Sequence, residues 1–401
     1  MTRRDLFLSV YLPSLLLSFA SGLLIPTLPL YVRQLGASFE VASIVVAMAA
    51  LGTLASDVPA GLIVARIGRR PAMILGAASL VVTALGLGVS RAIPLLVLFR
   101  FLSGVGSALW SLSRHTFLAE EVPLRERGRA LATFGGVNRI GTFAGPAVGG
   151  LTAYYLGLVA PFFVYAGVAF VATVVAFLFV PESKRHAGPK DGINWRAIPR
   201  LVRQNARSLA TVGLAQVFAQ MIRAGRQFII PVYGAYAVGL DVSAVGTIMS
   251  ASAAVDMSLF YPAGVVMDRF GRRFAIVPSF ILLALGMGLV PLTHSFLSLL
   301  VVTVLIGLGN GLGSGSMMTL GADLAPPDET GQFLGIWRLI GDAGSTGGPM
   351  VVGAVADVLG LSLAAVALSG IGLAAAILFL VFVEETLRPQ HVPRPEREVI
   401  R

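Results

Sequence analysis

Long apolar runs alternate with short polar loops along almost the whole of this sequence. The runs are 6–32, 41–65, 72–90, 93–117, 129–154, 159–181, 209–237, 242–267, 274–292, 296–320, 332–356 and 361–383. Each approaches or exceeds the roughly 20 residues an α-helix needs to cross a bilayer. The pattern predicts twelve membrane-crossing helices. One long polar stretch, Glu182–Ser208, interrupts it and holds Lys184, Arg185, Lys190, Arg196, Arg200, Arg203 and Arg207. It reads as a linker with an amphipathic helix near 194–206 lying on the membrane surface. The expected organisation is a six-helix bundle over 1–181, a linker over 182–208, a second bundle over 209–388 and a tail over 389–401.

The chain also repeats itself. Gly61-Leu-Ile-Val-Ala-Arg-Ile-Gly-Arg-Arg70 returns as Gly264-Val-Val-Met-Asp-Arg-Phe-Gly-Arg-Arg273, 203 residues later. The same offset relates Gly141-Thr-Phe-Ala-Gly-Pro-Ala-Val-Gly-Gly150 to Gly344-Ser-Thr-Gly-Gly-Pro-Met-Val-Val-Gly353. A period of about half the chain marks a duplicated unit. Both copies of the basic loop sit on one side of the membrane only if each half has an even number of spans, and six fits.

Composition agrees with lipid as the main solvent. Hydrophobic residues make up 56% of the chain and charged residues 12%, too few charges for a water-exposed surface. The net charge of +10 would suggest nucleic acid in a water-soluble protein, but the charges are placed as orientation signals. With the N-terminus on the cytoplasmic side, cytoplasmic segments hold 22 of the 30 Lys and Arg residues, and outer loops only Arg33 and Arg91. That bias predicts both termini inside. The N-terminal run reads as a first spanning helix rather than a removed signal peptide. There is no cysteine, so no disulfide and no thiolate metal site.

The repeated segments resemble those of a known family. The loop pattern Gly-x-x-x-Asp-Arg-x-Gly-Arg-Arg resembles the signature loop of the major facilitator superfamily, on Gly61, Arg66, Gly68, Arg69 and Arg70, and on Gly264, Asp268, Arg269, Gly271, Arg272 and Arg273. Ala65 stands where the family has Asp. Gly141, Gly145, Pro146, Gly149 and Gly150 resemble the antiporter motif in the fifth span of the superfamily's drug:proton exporters. Ile25-Pro-Thr-Leu-Pro-Leu-Tyr31 is similar to their first-span motif, and reads equally as a kink from two prolines. The resemblance implies two pseudo-symmetric six-helix bundles that rock about a central cavity. It implies that the basic loops latch the bundles together, with Asp268 at the N-terminal end of a neighbouring helix. It implies that the fifth-span glycines pack closely at the interface between bundles and seal the outer side.

Ionisable residues within spans are costly and point to function. Arg100 matches the family's fourth-span Arg, implicated there in proton movement. Asp57, Asp256 and Asp342 join it as proton-coupling candidates, with Asp256 first and Asp57 second. Asn138, Arg139, Gln220, Arg223, Arg226, Asn310 and Arg338 are candidates to line the substrate cavity. The resemblance implies that spans five and eight meet across the bundle interface, as do two and eleven, and with similar depth this suggests the pairs Arg139–Asp256 and Asp57–Arg338, formed in one state and broken in the other. Static pairing that only fixes helix packing is the alternative. The first span holds no acid, which weakens a cationic-drug reading. An anionic or amphipathic substrate held by Arg forks is as well supported.

The glycine run 307–315 lies in an apolar span with no preceding strand and no Gly-Lys-Ser/Thr. It therefore fails the context test for a nucleotide loop and reads as a tightly packed tenth helix. No catalytic constellation, metal cluster or cofactor motif is present. The expected function is a proton-coupled secondary transporter, an antiporter exporting drugs or small amphipathic or anionic metabolites. Expected partners are that substrate, protons and the bilayer, with no nucleic acid and a monomeric state. The expected location is a prokaryotic inner membrane. Organic-anion:proton symport, lipid or lysolipid movement, and a non-transporting sensor or scaffold are the alternatives.

Overall fold

A computed structural model describes residues 3–122, 124–181, 197–326, 329–383 and 385. The first part of the expected linker, 182–196, and the expected tail lie outside the described residues.

Among the described residues, nine helices are long and apolar enough to cross a membrane by length and composition alone. They are α1 (Phe7–Gln34), α2 (Phe39–Ile67), α3 (Arg69–Val89), α4 (Ile93–Glu121), α6 (Ala160–Phe179), α8 (Val242–Phe270), α9 (Arg272–Leu292), α10 (Phe296–Leu324) and α12 (Leu361–Phe382). Three equally long helices complete the set: α5 (Leu124–Leu156), α7 (Ala206–Tyr236) and α11 (Thr330–Leu359). These three carry Asn138 and Arg139, Arg223 and Arg226, and Arg338 and Asp342. Polar side chains lower their apolar character because they face the protein interior rather than lipid. The chain is therefore a multi-pass, all-helical membrane protein of twelve spans in two pseudo-symmetric six-helix bundles. A short helix, Ala197–Gln204, precedes α7, within the stretch expected to lie on the membrane surface.

The duplication is visible turn by turn. Gly36 and Gly239, Gly68 and Gly271, and Gly157 and Gly360 are pairs 203 residues apart, and all six have φ between 78° and 109°. Only glycine takes such angles without strain, so equivalent helices end with the same reversal. Packing follows the same rule. α1 packs on α5 and α6 as α7 packs on α11 and α12, and α2 packs on α4 as α8 packs on α10. Between the halves, two seams correspond: α5 against α8, and α2 against α11.

Helix starts are set locally. The Ser38 side chain accepts the Val41 N–H at the start of α2, and Asp241 accepts from Ser243 and Ala244 at the start of α8. Such caps satisfy donors that have no partner inside the helix.

The glycines of 141–150 divide their work between two neighbours. A Cβ at Gly145 would sit 2.5 Å from the Gly22 Cα, and one at Gly141 2.7 Å from the Phe19 N; Gly149 meets Leu23. Three of the glycines therefore pack α5 onto α1 inside its own half, not across the interface. Gly150 faces the other bundle, 2.5 Å from the Val242 carbonyl and 3.1 Å from the Gly246 Cα by the same measure. The second copy repeats this division: Gly344 and Gly348 lie on α7, and Gly353 lies on Phe39 and Ser43 of α2. Small residues let backbones approach this closely in lipid.

Candidate functional site

A cavity of about 340 Å³ lies between the bundles. It is lined from both halves, by Ile25 on α1, Asn138, Arg139, Thr142 and Pro146 on α5, Arg226, Gln227 and Ile230 on α7, and Met249 and Asp256 on α8. Asn310 on α10 completes one wall. Pro146 and Gly150 bring α5 close to α8, and that contact places Arg139 opposite Asp256.

The Arg139 Nη1 donates to Asp256 Oδ1 at 2.9 Å. Arg139 Nη2 bonds the Ser314 hydroxyl, and the guanidinium stacks over Phe260, 4.7 Å from the ring centre. The second Asp256 oxygen accepts from Asn310 Nδ2 at 2.7 Å and faces Arg226 Nη2 at 4.0 Å. One carboxylate thus serves two guanidiniums, leaving an excess of one positive charge on the cavity wall. Two buried polar atoms here have no hydrogen-bond partner among the described residues, Arg226 Nε and Asn310 Oδ1. Buried polar groups are ordinarily paired, and these two atoms are exceptions on residues that line the cavity.

Asn138, Arg139, Arg226, Asp256 and Asn310 thus come together as one site. Other candidates lie elsewhere. Arg223 turns away from the cavity into its own half, where Nη2 donates to the Gly313 carbonyl at 2.9 Å and the head group stacks on Phe280. It supports a break in α10. That helix is interrupted at Gly313–Gly315, with Gly315 at φ 76°. The freed backbone is re-satisfied by Arg223, by Ser279 donating to the Gly309 carbonyl at 2.7 Å, and by Trp337 Nε1 donating to the Met317 carbonyl at 2.8 Å. Irregular backbone at membrane depth needs such partners. Gln220 packs beside Gly341 on α11. Arg100 stays within the first half, 3.4 Å from the Val46 carbonyl.

A second charged group occupies the other seam. Arg338 Nε lies 3.2 Å from Asp57 Oδ2, and its Nη2 donates to Oδ1 at 3.3 Å. Asp342, one turn along the same helix, is 3.7 Å from Arg338 Nε. Nearby, Arg114 stacks on Phe134 and meets the His115 ring at 3.2 Å.

The basic loops keep their described polar partners within their own bundles. Arg69 pairs with Glu121 at 3.4 Å, and Arg70 donates to the Phe177 carbonyl at 2.9 Å. Arg272 bridges Asp268 at 3.0 Å and Asp323 at 3.1 Å. The Glu385 carboxylate accepts the Arg272 and Arg273 N–H groups. Asp268 therefore holds Arg272 one turn away and not a neighbouring helix end. Gly61 and Gly264 leave room beside the loops, whereas Arg66 and Arg269 are exposed.

Sequence reasoning missed the opposite end of the seam. Asp357 on α11 accepts the backbone N–H groups of Phe39 and Glu40 on α2. Two of its partners are backbone N–H groups, which leave no trace in a residue pattern, although the Ser38 hydroxyl and the Arg33 charge also face it.

Comparison with known proteins agrees with this architecture. The family model described as Major Facilitator Superfamily matches residues 10–222 and again 212–401. Multidrug resistance protein 1 of Bacillus subtilis (strain 168) is 24% identical over 370 residues, covering 89% of this chain and 92% of that protein. Among solved structures, the nucleoside transporter NupG superposes with a TM-score of 0.80 at 13% identity, covering 94% of this chain and all of that one (100%). A POT family transporter in complex with 5-aminolevulinic acid gives 0.79 at 15% identity, with coverage of 94% and 96%. At these identities the structures speak for the fold.

Proposed function

The chain belongs to the major facilitator superfamily, and from that membership we propose that it is a proton-coupled secondary transporter exporting small amphipathic or anionic compounds by alternating access. One observation carries the reading: Asp256 and Arg139, one from each half, pair inside a cavity between the halves. A charge pair split between two bodies that rock apart is costly to break while charged. Protonating Asp256 removes its negative charge and releases Arg139. A proton can thus set which conformation is favoured.

The bias of Lys and Arg toward one side supports a cytoplasmic position for the basic loops, which sets Arg33 and Asp357 at the outer end. In this frame the close contacts of Gly150 with α8 and of Gly353 with α2 seal the outer side. The conformation is then inward-facing. Exchange of substrate for a proton is supported by the fifth-span glycine pattern and by similarity to a multidrug resistance protein.

A second reading, organic-anion:proton symport, is favoured by Arg226. It adds positive charge to a wall whose single carboxylate is already held by Arg139 and Asn310. An anion on these guanidiniums would strengthen proton binding at Asp256, whereas a competing substrate would expel the proton.

The test is the sign of proton movement on binding. Purified protein in weakly buffered detergent receives cationic dyes, organic anions and lysolipids while a pH indicator is followed, with the Asp256→Asn protein in parallel. Proton release that Asp256→Asn abolishes supports exchange. Uptake that Asp256→Asn abolishes supports symport. Binding with no proton movement, or with movement unchanged in the variant, overturns Asp256 as the carrier.

A further inference from the structure

The two seams are equivalent by duplication, yet their outer ends are closed differently. In the α2–α11 seam, Asp357 reaches from α11 to the first turn of α2. Its Oδ1 accepts the Phe39 N–H at 2.9 Å and its Oδ2 accepts the Glu40 N–H at 2.8 Å. Ser38 of the same turn accepts the Val41 N–H at 3.2 Å. The first three donors of α2 are therefore satisfied by one residue of its own chain segment and one residue of the other bundle. The positive end of the helix dipole adds to the attraction, and hydrogen bonds to a charged acceptor are stronger than neutral ones.

The opposite seam has no such contact among the described residues. Subtracting 203 from Asp357 gives Tyr154, and adding 203 to Phe39 gives Val242. Tyr154 is exposed and stacks edge-on with Tyr155, its own neighbour. The equivalent helix start, at α8, is capped by Asp241 from within, at 2.8 and 2.9 Å. That seam is closed by backbone packing, with Gly150 against Val242 and Gly246, and by Ser250, which donates to the Phe143 carbonyl at 2.7 Å and accepts the Ala147 N–H at 2.8 Å.

A second cross-bundle contact stands beside Asp357. The Arg33 guanidinium lies 3.9 Å from the Phe39 ring centre and 5.2 Å from that of Tyr236, and the two rings meet edge-to-face at 5.7 Å. Arg33 and Phe39 belong to the first half and Tyr236 to the second. This cation–π contact holds the start of α2 in the place where Asp357 meets it.

We propose that Asp357 is a positioning residue of the transport cycle: it is the release point of the outer gate, holding the α2–α11 seam shut by capping a helix of the opposite bundle. Opening the outer side must separate α2 from α11 at this level, so both hydrogen bonds break in every cycle. The α2 N-terminus then loses two acceptors at once, and water takes their place. The α5–α8 seam, held by close backbone packing, has no comparable charged contact to release at its outer end. The charged step of outer opening therefore lies at α2–α11. The inference uses the orientation stated under Proposed function but is independent of substrate and of proton coupling.

The chain has no cysteine, so single-cysteine reporters go into the otherwise native protein. Ser43 is fully buried on α2 and touches Gly353 across the seam. In Ser43→Cys protein, a membrane-impermeant maleimide added from outside reads outer opening. Thr142→Cys, on the cavity wall, reads inner opening from inside-out vesicles. Replacing Asp357 by Ala removes a cap, and loss of a cap changes an equilibrium by roughly twofold to thirtyfold. Labelling of the Ser43→Cys reporter is expected to rise within that range while labelling of the Thr142→Cys reporter falls. Asp357→Asn, which keeps an acceptor without the charge, is expected between the two. Asp241→Ala removes a cap of the same kind that does not cross a seam, and is expected to leave the ratio of the two labelling rates unchanged.

Equal increases at both reporters in Asp357→Ala would mean general loosening and would overturn the proposal. So would an Asp241→Ala protein that shifts the ratio as far as Asp357→Ala. Unchanged labelling of the Ser43→Cys reporter in folded Asp357→Ala protein also overturns it. If the cycle's direction or substrate reading fails while the two rates still move oppositely, the gate stands without that reading.

Discussion

Arg139 and Asp256 meet across the α5–α8 seam at 2.9 Å, and the duplication does not repeat them. The residue 203 positions after Arg139 is Asp342, and the residue 203 positions before Asp256 is Thr53. The other seam instead pairs Asp57 with Arg338, whose counterparts are Phe260 and Gly135. Those counterparts also touch: a Cβ on Gly135 would lie 3.6 Å from the Phe260 ring. Among the described residues each seam thus carries one ion pair, and the two pairs sit one helical turn apart in the duplicated frame. The same scaffold position bears a charge pair in one seam and an apolar contact in the other. The halves share architecture while the charged chemistry is divided between them.

This asymmetry sets the first prediction. Asp256→Asn keeps the shape of the side chain but leaves Arg139 and Arg226 with no acid. Leaving a buried partner unsatisfied costs about 1–3 kcal/mol. Removing both partners of a buried pair is less damaging than removing one. Arg139→Gln with Asp256→Asn should therefore unfold at a higher temperature than Asp256→Asn alone. Thermal unfolding of the single and double variants in one detergent measures this, and additive losses would show that the two residues do not act as a pair.

Much of this is legible in the sequence, for identifiable reasons. The offset of 203 reveals the duplication, and depth, with the arrangement of spans that the family resemblance implies, sets Arg139 beside Asp256 and Asp57 beside Arg338. Where an acid and an arginine share a depth, each is the other's natural partner in a medium of low dielectric, and such a pair can be read ahead of the structure. What stays hidden involves backbone partners. Arg223 groups with Arg226 by sequence because they are one turn apart, yet it binds the Gly313 carbonyl in a broken helix. A glycine run shows that a helix can break, but not which side chain then caps the break. The glycines of 141–150 advertise close packing, but not that Gly141, Gly145 and Gly149 face α1 and only Gly150 faces α8.

That division of glycines gives a second prediction. Gly145→Ala places a methyl group 2.5 Å from the Gly22 Cα, inside one bundle. Gly150→Ala places one 2.5 Å from the Val242 carbonyl, across the seam. Overpacking costs about 1–3 kcal/mol in either place. Gly145→Ala should lower the unfolding temperature with little change in outer accessibility. Gly150→Ala should raise external labelling of Ser43→Cys, because the closed outer end is the state it disturbs. Equal labelling in the two variants would mean that α5 packs as one unit.

The paired loop glycines give a third. Gly68 and Gly271 have φ of 90° and 109° with ψ of 166° and 162°, and a Cβ at such angles costs about 1–3 kcal/mol. At Gly68 only the Pro71 ring is near, at 3.9 Å, so strain acts alone. At Gly271 the added atom also meets the Glu385 carboxylate, which binds the Arg272 and Arg273 N–H groups. Gly271→Ala should therefore destabilise more than Gly68→Ala. Glu385→Ala should bring the two closer together, because it removes the second obstacle. Unfolding temperatures of the four proteins decide it, and an unchanged gap would leave backbone strain as the whole difference.

The last prediction concerns the exposed pair. Arg338 is 42% exposed at its side chain and Asp57 is 19% exposed, whereas Arg139 and Asp256 are at 23% and 16%. Exposed ion pairs contribute about 0–1 kcal/mol and are screened by salt. Arg338 also has Asp342 at 3.7 Å on its own helix, so losing Asp57 does not strand its charge. Asp57→Asn should then change stability by less than about 1 kcal/mol and less than Asp256→Asn does. Raising the salt concentration should narrow the difference between native and Asp57→Asn protein, but not that between native and Asp256→Asn. The contrast is a property of the two seams. One pair has an arginine that is open to water and has a second acid in reach, and the other lies in a cavity wall where Asp256 is the nearest acid to two guanidiniums. Unfolding temperatures at low and high salt read it directly. An Asp57→Asn loss as large and as salt-insensitive as that of Asp256→Asn would show that Asp342 cannot take over Arg338, and that the α2–α11 pair is as deeply committed as its counterpart.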